Sequence, residues 1–498
     1  MLQTVLASLK QTELRTHQLV AAIDPITRGW AVIFLGTVTR MGLSFLSGVL
    51  IVRAFGPADF GVYSLLTAIT GMVGVVVDFG LTEATLKGIA AAWGSERAQA
   101  LKLAQVFFWA RLGLAVGGLV LGGLLAWPIS VYLLQLPAGT WLFSLALLGV
   151  VTTALNGSVN AVLQATGHFG RISVVLIASS ALALLLTILL VVSDTLSVAT
   201  ALLGLGAGTA LAGFLVGRRY LPTDWGNDLK LPPLTPPAGG TLSALPSLGG
   251  VGGGRNLQQE TIANLRPLPD LGGQRTSPLR FPGWAVIAAE GPALFRFGRW
   301  LWLANIFKTL IAYLDFFLLN LWLTPAAVGL YALALGLASR VEVVNHSLYT
   351  VLIPMAAALK DRQTLLAYLW QGLKRSTWIS LALLPLLPLA RWFIPLFYGS
   401  EFASAALFFQ LLLGVVIFDI ITLPVLLLIY TFDRPDLSAL AEGTRVVTLV
   451  LIAMWLIPSL GPVGAIIAKF CAKVVGVLLT VGLLLRHTRQ ASLAGDES

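Results

Sequence analysis

The sequence predicts an all-α polytopic membrane protein with about twelve transmembrane helices, arranged as two parallel six-helix repeats. Three observations support this fold. Hydrophobic residues make up 57% of the 498-residue chain, charged residues only 11%, and the mean hydropathy is +0.88. Soluble globular chains carry about 25% charged residues. The apolar residues form runs long enough to cross a bilayer, and the two halves of the chain share a motif.

Twelve apolar runs are candidate spans, because a helix needs about 20 apolar residues to cross the hydrocarbon core. In the first half they are 30–52, 61–86, 104–127, 141–163, 172–192 and 198–216. In the second half they are 300–323, 329–355, 377–395, 404–430, 437–458 and 464–485. We expect the first run to act as the membrane-targeting signal and to be retained.

The positions of Lys and Arg predict the orientation. With the N-terminus in the cytoplasm, 24 of the 32 Lys and Arg residues lie in inside segments, and the outside loops hold only Arg53 and Arg391. Cytoplasmic loops of membrane proteins are enriched in Lys and Arg. Both termini are therefore predicted to be cytoplasmic, and the net charge of +10 needs no nucleic-acid partner.

A stretch rich in Pro and Gly divides the spans six and six. Residues 221–283 contain 10 Pro and 11 Gly in 63 residues, a composition that cannot bury enough apolar surface to fold. We therefore predict a flexible cytoplasmic linker. The expected organisation is an N-terminal cytoplasmic segment (1–29), an N-lobe (30–219), the linker (220–290), a C-lobe (291–486) and a cytoplasmic tail (487–498).

An internal repeat matches this division. The segment Gly-Pro-Ala-Asp-Phe-Gly-Val-Tyr-Ser-Leu at 56–65 and the segment Thr-Pro-Ala-Ala-Val-Gly-Leu-Tyr-Ala-Leu at 324–333 share five of ten residues. Both follow the first span of a half, so the offset of 268 indicates a duplicated unit with parallel topology. The same offset places Arg40 on Lys308 and Asp78 on His346.

These motifs resemble those of a known family. The 56–65 segment, followed by Asp78-Phe79-Gly80-Leu81, is similar to the N-terminal signature of bacterial polysaccharide transporters, the O-antigen-type oligosaccharide-lipid flippases. Phe-Tyr-Gly-Ser-Glu-Phe at 397–402 and Gly-Pro-Val-Gly-Ala at 461–465 are similar to further patterns of that family. The linker is longer and richer in Pro and Gly than the family pattern.

The resemblance implies the fold of the multidrug, oligosaccharidyl-lipid and polysaccharide exporter superfamily, with two six-helix lobes around a central cavity. It implies a cargo of polyprenyl-diphosphate-linked oligosaccharide, moved by alternating access across the bacterial plasma membrane for cell-surface polysaccharide biosynthesis. The expected partners are this lipid-linked oligosaccharide, membrane lipids and polysaccharide-assembly proteins.

Charged residues inside the spans are the candidates for a functional site, because each costs about 2.5–3.5 kcal/mol on insertion scales. The cations predicted to line a cavity and bind substrate are Arg40, Lys308, Arg340, Lys469 and Lys473. The residues predicted to couple or gate transport are Asp78, Asp315, Glu342, His346 and Asp419. Arg binds phosphate through two parallel hydrogen bonds and Lys acts as a point charge, so the cations suit a diphosphate.

A second interpretation is that these charges form internal salt bridges, for instance between Arg340 and Glu342 or Asp419. Lys469 and Lys473 lie four residues apart on one helix face, so they repel each other unless an acid or an anion lies opposite. Arg111 lies two turns into its predicted span and is expected to extend towards the cytoplasmic face. His346 could couple transport to protons or form a structural hydrogen bond.

The sequence also bears on three other functions: an ATP-driven pump, a membrane enzyme and a multidrug antiporter. No Lys follows a Gly, which excludes a phosphate-binding loop of the Gly-Lys-Ser/Thr type and with it an ATP-driven pump. A membrane polysaccharide polymerase or ligase is disfavoured by the short outside loops, so no enzymatic activity is expected. An ion-coupled multidrug antiporter of the same superfamily is the alternative, although six cations against about four acids disfavour a site for cationic drugs. No cofactor and no metal site are predicted.

Overall fold

The computed structural model describes residues 25–93, 96–135, 139–222, 277–357, 362–428 and 435–495. This part of the chain is 91% helical and contains no β-strand. The predicted all-α polytopic fold is thus confirmed. Within the described ranges, nine helices are long and apolar enough to cross a membrane.

Thirteen main helices follow one another along the chain. They are α1 (Pro25–Asp78), α2 (Leu81–Trp93), α3 (Arg97–Leu124), α4 (Thr140–Ala165), α5 (Phe169–Val192), α6 (Val198–Tyr220), α7 (Trp284–Trp322), α8 (Pro325–Ala357), α9 (Arg362–Leu383), α10 (Leu386–Tyr398), α11 (Ala405–Leu426), α12 (Pro435–Leu460) and α13 (Pro462–Gly495). The middle of α6, Ala201–Gly208, is a π-helix.

The first helix bends back on itself at Gly56, so its two arms, 25–55 and 57–78, are the first and second predicted spans. Gly56 has φ 66°, a left-handed conformation that glycine adopts without strain, and Pro57 starts the second arm. The same Gly-Pro pair separates α12 from α13, where Gly461 has φ 59°. Two of the motifs noted in the sequence are therefore helix-to-helix turns.

Several helix boundaries differ from those predicted by hydropathy; the predicted span 377–395, for example, is interrupted between α9, which ends at Leu383, and α10, which begins at Leu386. The predicted span 61–86 is interrupted after Asp78, because Phe79 (φ 49°) and Gly80 (φ 68°) turn the chain into α2. Helix α7 begins at Trp284, inside the range assigned to the linker, and α13 continues to Gly495, inside the predicted tail. Hydropathy finds the membrane-embedded part of a helix but not its polar extensions. Residues 1–24 and 223–276, which include most of the predicted N-terminal segment and linker, lie outside the described ranges.

The two halves meet through the repeated motif, at the end of the bundle that the charge pattern assigns to the outside. A Cβ added to Gly61 would lie 1.9 Å from the carbonyl oxygen of Pro325, and a Cβ added to Gly329 would lie 1.9 Å from that of Pro57. Gly61 and Gly329 are equivalent positions of the repeat, as are Pro57 and Pro325. The contact is therefore reciprocal, and we call these four residues the glycine clasp.

Other contacts join the halves beside the glycine clasp. The rings of Phe60 and Phe402 meet edge to face at 6.3 Å between centroids. The Arg53 guanidinium donates a hydrogen bond of 2.5 Å to the carbonyl oxygen of Leu396. The Asn320 amide donates to the carbonyl oxygen of Leu134 at 2.8 Å. Together these contacts join the two halves at the predicted outer face.

At the opposite end, the residues that lead into α7 pack against α3. The Gln105 amide donates to the carbonyl oxygen of Ser277 at 2.9 Å, and the Trp109 indole donates to that of Leu279 at 3.2 Å. Lys102 and Glu290 form a buried ion pair of 2.5 Å. The start of α7 is therefore fixed to the N-terminal half, although α7 belongs to the second half by sequence. We call residues 277–283 the strap.

Candidate functional site

A cavity of about 570 Å³ lies where α7 meets the N-terminal half. We call it the interlobe cavity. Its walls come from the second arm of α1, the start of α2, and parts of α3, α4 and α7. The lining residues are Thr70, Gly71, Gly74, Val75, Val77, Asp78, Gly80, Thr82, Arg111, Val150, Thr153, Ala154, Trp302, Asn305, Lys308 and Thr309. A volume of this size is typical of sites for small ligands.

Asp78 and Arg111 form an ion pair on one wall. The Nε of Arg111 lies 3.3 Å from Oδ1 of Asp78, and the Thr82 hydroxyl donates to the same oxygen at 2.5 Å. The guanidinium packs over the Phe107 ring and against Gly157, whose added Cβ would lie 3.0 Å from both terminal nitrogens. A glycine at 157 therefore gives the guanidinium its space. The Nη1 atom of Arg111 is buried and has no hydrogen-bond partner in the described part of the chain.

Helix α7 contributes the opposite wall. Trp302, Asn305, Lys308 and Thr309 all line the interlobe cavity and recur at spacings that place them on one side of a helix. The Lys308 side chain is exposed, and among the described residues it has no ion-pair partner. The cavity thus carries two cations, Arg111 and Lys308, against one acid, Asp78.

The lysines predicted on the last span lie elsewhere, in the C-terminal half. Lys469 is buried and its Nζ lies 2.6 Å from Oδ2 of Asp315, a residue with no exposed surface. The Tyr331 hydroxyl donates to the same oxygen, and the Phe316 amide donates to Oδ1 at 3.1 Å. The carboxylate therefore has partners on both oxygens, as a charge in an apolar interior requires.

Lys473, one turn further along α13, has its own acid. Its Nζ lies 2.9 Å from Oδ2 of Asp419, which also accepts a hydrogen bond of 2.8 Å from the Asn345 amide. Each lysine of the i, i+4 pair thus faces a carboxylate from a different helix, Asp315 on α7 or Asp419 on α11. The expected repulsion between Lys469 and Lys473 is compensated in this way, and their role in binding substrate stays a prediction.

Arg340 lies between the halves rather than in the interlobe cavity. Its guanidinium packs 5.3 Å above the ring of Phe45 on α1, and the Phe45 ring meets that of Tyr398, at the end of α10, edge to face at 6.4 Å between centroids. Neither Glu342, which is exposed, nor Asp419 forms an ion pair with Arg340 among the described residues. Its Nη1 atom is buried without a hydrogen-bond partner in those residues.

The remaining predicted site residues are less well placed. Arg40 is exposed on α1 and does not line the interlobe cavity, so the described structure does not bring it together with Lys308 there. The side chain of His346 lies outside the described part of the structure. In the described ranges, no cluster of His, Cys, Asp and Glu could hold a metal ion.

Arg111 gains a role that the sequence does not assign to it, because the structure places it on the wall of the interlobe cavity beside Asp78. Helix α3 begins at Arg97, so Arg111 lies about 21 Å along the helix, and its expected extension towards the cytoplasmic face stays a prediction. The paired acid at Asp78 and the glycine at 157 were both visible in the sequence. Their proximity to Arg111 depends on helix packing, which the sequence pattern does not give.

Comparisons with known proteins agree with this architecture. A family model described as "Polysaccharide biosynthesis protein" matches residues 26–233, and a second with the same description matches residues 278–407. Together they cover about two thirds of the chain. No curated protein matches the sequence.

Solved structures of transporters share the fold. The lipid II flippase MurJ in an inward closed conformation is 12% identical, with a TM-score of 0.61 over 91% of this chain and 87% of that chain. An inward-facing multidrug resistance MATE transporter of the MOP superfamily is 16% identical, with a TM-score of 0.56 over 93% and 99%. The eukaryotic MATE transporter AtDTX14 is 13% identical, with a TM-score of 0.53 over 91% and 96%.

Proposed function

Because the chain belongs to the polysaccharide biosynthesis family of membrane transporters, we propose that it flips a polyprenyl-diphosphate-linked oligosaccharide across the membrane. The cargo would pass from the inner to the outer leaflet of a bacterial plasma membrane, for the synthesis of cell-surface polysaccharide. Both termini would lie in the cytoplasm, in line with the distribution of Lys and Arg. Partners would be the lipid-linked oligosaccharide, the surrounding lipids and polysaccharide-assembly proteins.

The observation that carries this proposal is the pair of cations in the interlobe cavity. Lys308 has no counter-ion among the described residues, and Nη1 of Arg111 has no acceptor there. Cations in a transmembrane helix are costly and are expected to face a cavity or a partner of opposite charge. A diphosphate would supply the missing negative charge, with Arg111 as a hydrogen-bond donor and Lys308 as a point charge.

Transport would follow alternating access. The glycine clasp and its neighbours join the two halves at the predicted outer face, and cargo would enter the interlobe cavity from the other side. Release would require the two halves to separate at the glycine clasp. Such a rocking motion around a fixed site is the usual behaviour of transporters built from repeats.

Two other functions fit less well. A multidrug antiporter for cationic compounds would need an acidic cavity, whereas this one holds two cations against one acid. A polymerase or ligase would need groups to bind an acceptor on the outer face, where the described connections are short turns such as that at Gly56 and that at Gly461. We therefore propose a transporter that does no covalent chemistry on its cargo.

The test is transport by reconstituted Lys308 variants. In proteoliposomes that contain a polyprenyl-diphosphate-linked sugar, Lys308→Ala should slow flipping at least tenfold, Lys308→Arg should retain most of the rate, and Lys308→Glu should abolish it. Charge is the property that the proposed role requires. Accessibility of the sugar to an added glycosidase measures its transfer.

The matched control is Lys374→Ala, which removes an exposed lysine of α9 outside the interlobe cavity. It should flip at the wild-type rate. Wild-type flipping by a stable Lys308→Glu protein would contradict the proposed site, and failure of the unmodified protein to flip the lipid would contradict the proposed function.

A further inference from the structure

Trp302 is held rigidly at the wall of the interlobe cavity. One face of its indole stacks on Phe79, with 4.5 Å between ring centroids and 11° between ring planes. Its Nε1 donates a hydrogen bond of 3.1 Å to the carbonyl oxygen of Val76. The residue is only partly buried and lines the cavity. The ring surface left for the cavity is therefore the side not covered by Phe79.

The backbone is distorted at the residue that supports this ring. Phe79 has φ 49°, a left-handed conformation that costs free energy in any residue except glycine. It lies in the two-residue break between α1 and α2, and this break brings the Phe79 ring against Trp302. Strain of this kind persists where the surrounding structure requires it, and here the surrounding structure is the wall of a cavity.

Helix α7 presents different chemistry at successive depths of the same cavity. Along the axis of α7, Asn305 lies about 4.5 Å beyond Trp302, and Lys308 lies about 9 Å beyond Trp302. The three residues carry an indole, an amide and an ammonium group in that order. Thr82 and Thr153 add hydroxyl groups to the other walls. A bound molecule would thus meet the ammonium of Lys308 at one end of this row and the indole of Trp302 at the other, with the Arg111–Asp78 pair on a neighbouring wall.

We infer that Trp302 is the stacking platform of a sugar subsite next to the diphosphate site, an assignment that rests on the proposed function. The faces of an aromatic ring carry partial negative charge, and the C–H groups on one side of a pyranose carry partial positive charge, so the two stack. Asn305 and the threonine hydroxyls would hydrogen-bond the sugar hydroxyls. The ligand class is the first sugar of a polyprenyl-diphosphate-linked saccharide, with the sugar on the Trp302 side of the diphosphate.

The test compares two lipids that differ only in the sugar: polyprenyl diphosphate, and the same lipid carrying one N-acetylglucosamine. Their dissociation constants are measured on the full chain in lipid nanodiscs. The wild-type protein should bind the sugar-bearing lipid roughly fivefold more tightly than the bare lipid. Trp302→Ala should remove that preference, because it should weaken the binding of the sugar-bearing lipid more than that of the bare lipid. Trp302→Phe, which keeps an aromatic face, should retain most of the preference.

Two further variants serve as controls for the binding measurements. Lys308→Ala should weaken the binding of both lipids by the same factor, since both carry the diphosphate. Trp455→Ala removes an indole that is 78% exposed on α12, away from the interlobe cavity, and should change neither affinity.

Distinct results would overturn the two proposals. Equal weakening of both lipids by Trp302→Ala would show that the indole only supports the cavity wall, and would overturn the sugar subsite. Equal affinity of the wild-type protein for the two lipids would do the same. Binding of neither lipid by the wild-type protein would overturn the proposed function, and the subsite with it.

Discussion

Asp315 and Lys469 show what a charged residue needs inside this bundle. Asp315 has no exposed surface, and the Lys469 ammonium, the Tyr331 hydroxyl and a backbone amide all donate to its carboxylate. Removing one partner of a buried ion pair leaves the other charge uncompensated, whereas replacing both with neutral groups is often tolerated. The pair therefore has a structural role that can be measured apart from transport.

We predict that Lys469→Met alone destabilises the protein by about 3–5 kcal/mol. The double variant Asp315→Asn with Lys469→Met should recover most of that loss, because no unpaired charge remains. Thermal unfolding of the purified protein in detergent measures both. Lys473→Met paired with Asp419→Asn provides the matched comparison one turn along α13. If the double variant is no more stable than Lys469→Met, the ion pair does not explain the burial of Lys469.

Charged residues are costly inside a membrane, so the sequence identifies most of the charged residues of the interlobe cavity and of the buried ion pairs. The sequence does not identify the partners of these residues. The sequence indicates four of these residues: Asp78, Lys308, Asp315 and Lys469. Their division into a cavity set and a buried pair depends on which helix faces which, and the hydropathy of the twelve apolar runs does not encode that. The stacking of Trp302 on Phe79 was likewise not predicted, since it follows from a backbone break within a continuous apolar run.

At the scale of helices, the glycine clasp joins α1 to α8. Small residues allow helix backbones in membranes to approach closely, and here the approach leaves no room for a single methyl group. Because the clasp lies at the predicted outer face, its packing contributes to the stability of the state in which that face is closed.

We therefore predict that Gly61→Ala shifts the protein towards a state that is open at the outer face. The reporter is Val328→Cys, a position with no exposed surface next to Gly329, in a chain whose one cysteine is removed by Cys471→Ala. Gly61→Ala should raise the labelling rate of Val328→Cys by a membrane-impermeant maleimide several-fold.

Gly336→Ala is the matched control for this experiment, because an added Cβ at 336 on α8 meets nothing within 4 Å. It should leave the labelling rate unchanged. An unchanged rate in Gly61→Ala as well would mean that the closed outer face does not depend on the glycine clasp.

The helices themselves were the most predictable part of the fold. Hydropathy located the apolar core of each helix because the bilayer imposes one length and one polarity on every span. It missed the Phe79-Gly80 break and the extension of α7 to Trp284, because neither changes the apolar content of a span. The repeated motif did predict which residues the two halves have in common, and these residues form the glycine clasp.

At the scale of the whole molecule, the strap is a part of the predicted linker that contacts the N-terminal half. The strap is fixed to α3 through Gln105 and Trp109. Residues 242–269 lie outside the described ranges and are rich in Pro and Gly. Only the fixed part should influence how α7 is positioned against the N-terminal half.

We predict that deleting residues 242–269 leaves membrane insertion and flipping near the wild-type level. The deletion leaves 26 residues between Pro222 and Ser277, which can reach up to about 85 Å when extended. Deleting residues 277–281 should instead reduce flipping, because it removes the contacts with α3. Flipping rates normalised to protein level measure both. Loss of flipping in the first deletion would mean that 242–269 binds a partner or gates the cavity.

The reciprocity of the glycine clasp has a consequence for how this architecture arises. In a contact related by a twofold axis, each partner presents the same patch, so that residue i touches j and j touches i. Gly61 with Pro325 and Gly329 with Pro57 satisfy this relation across the two halves of one chain. The contact is therefore the one that two copies of a duplicated six-helix unit would form if each copy presented the same patch to the other.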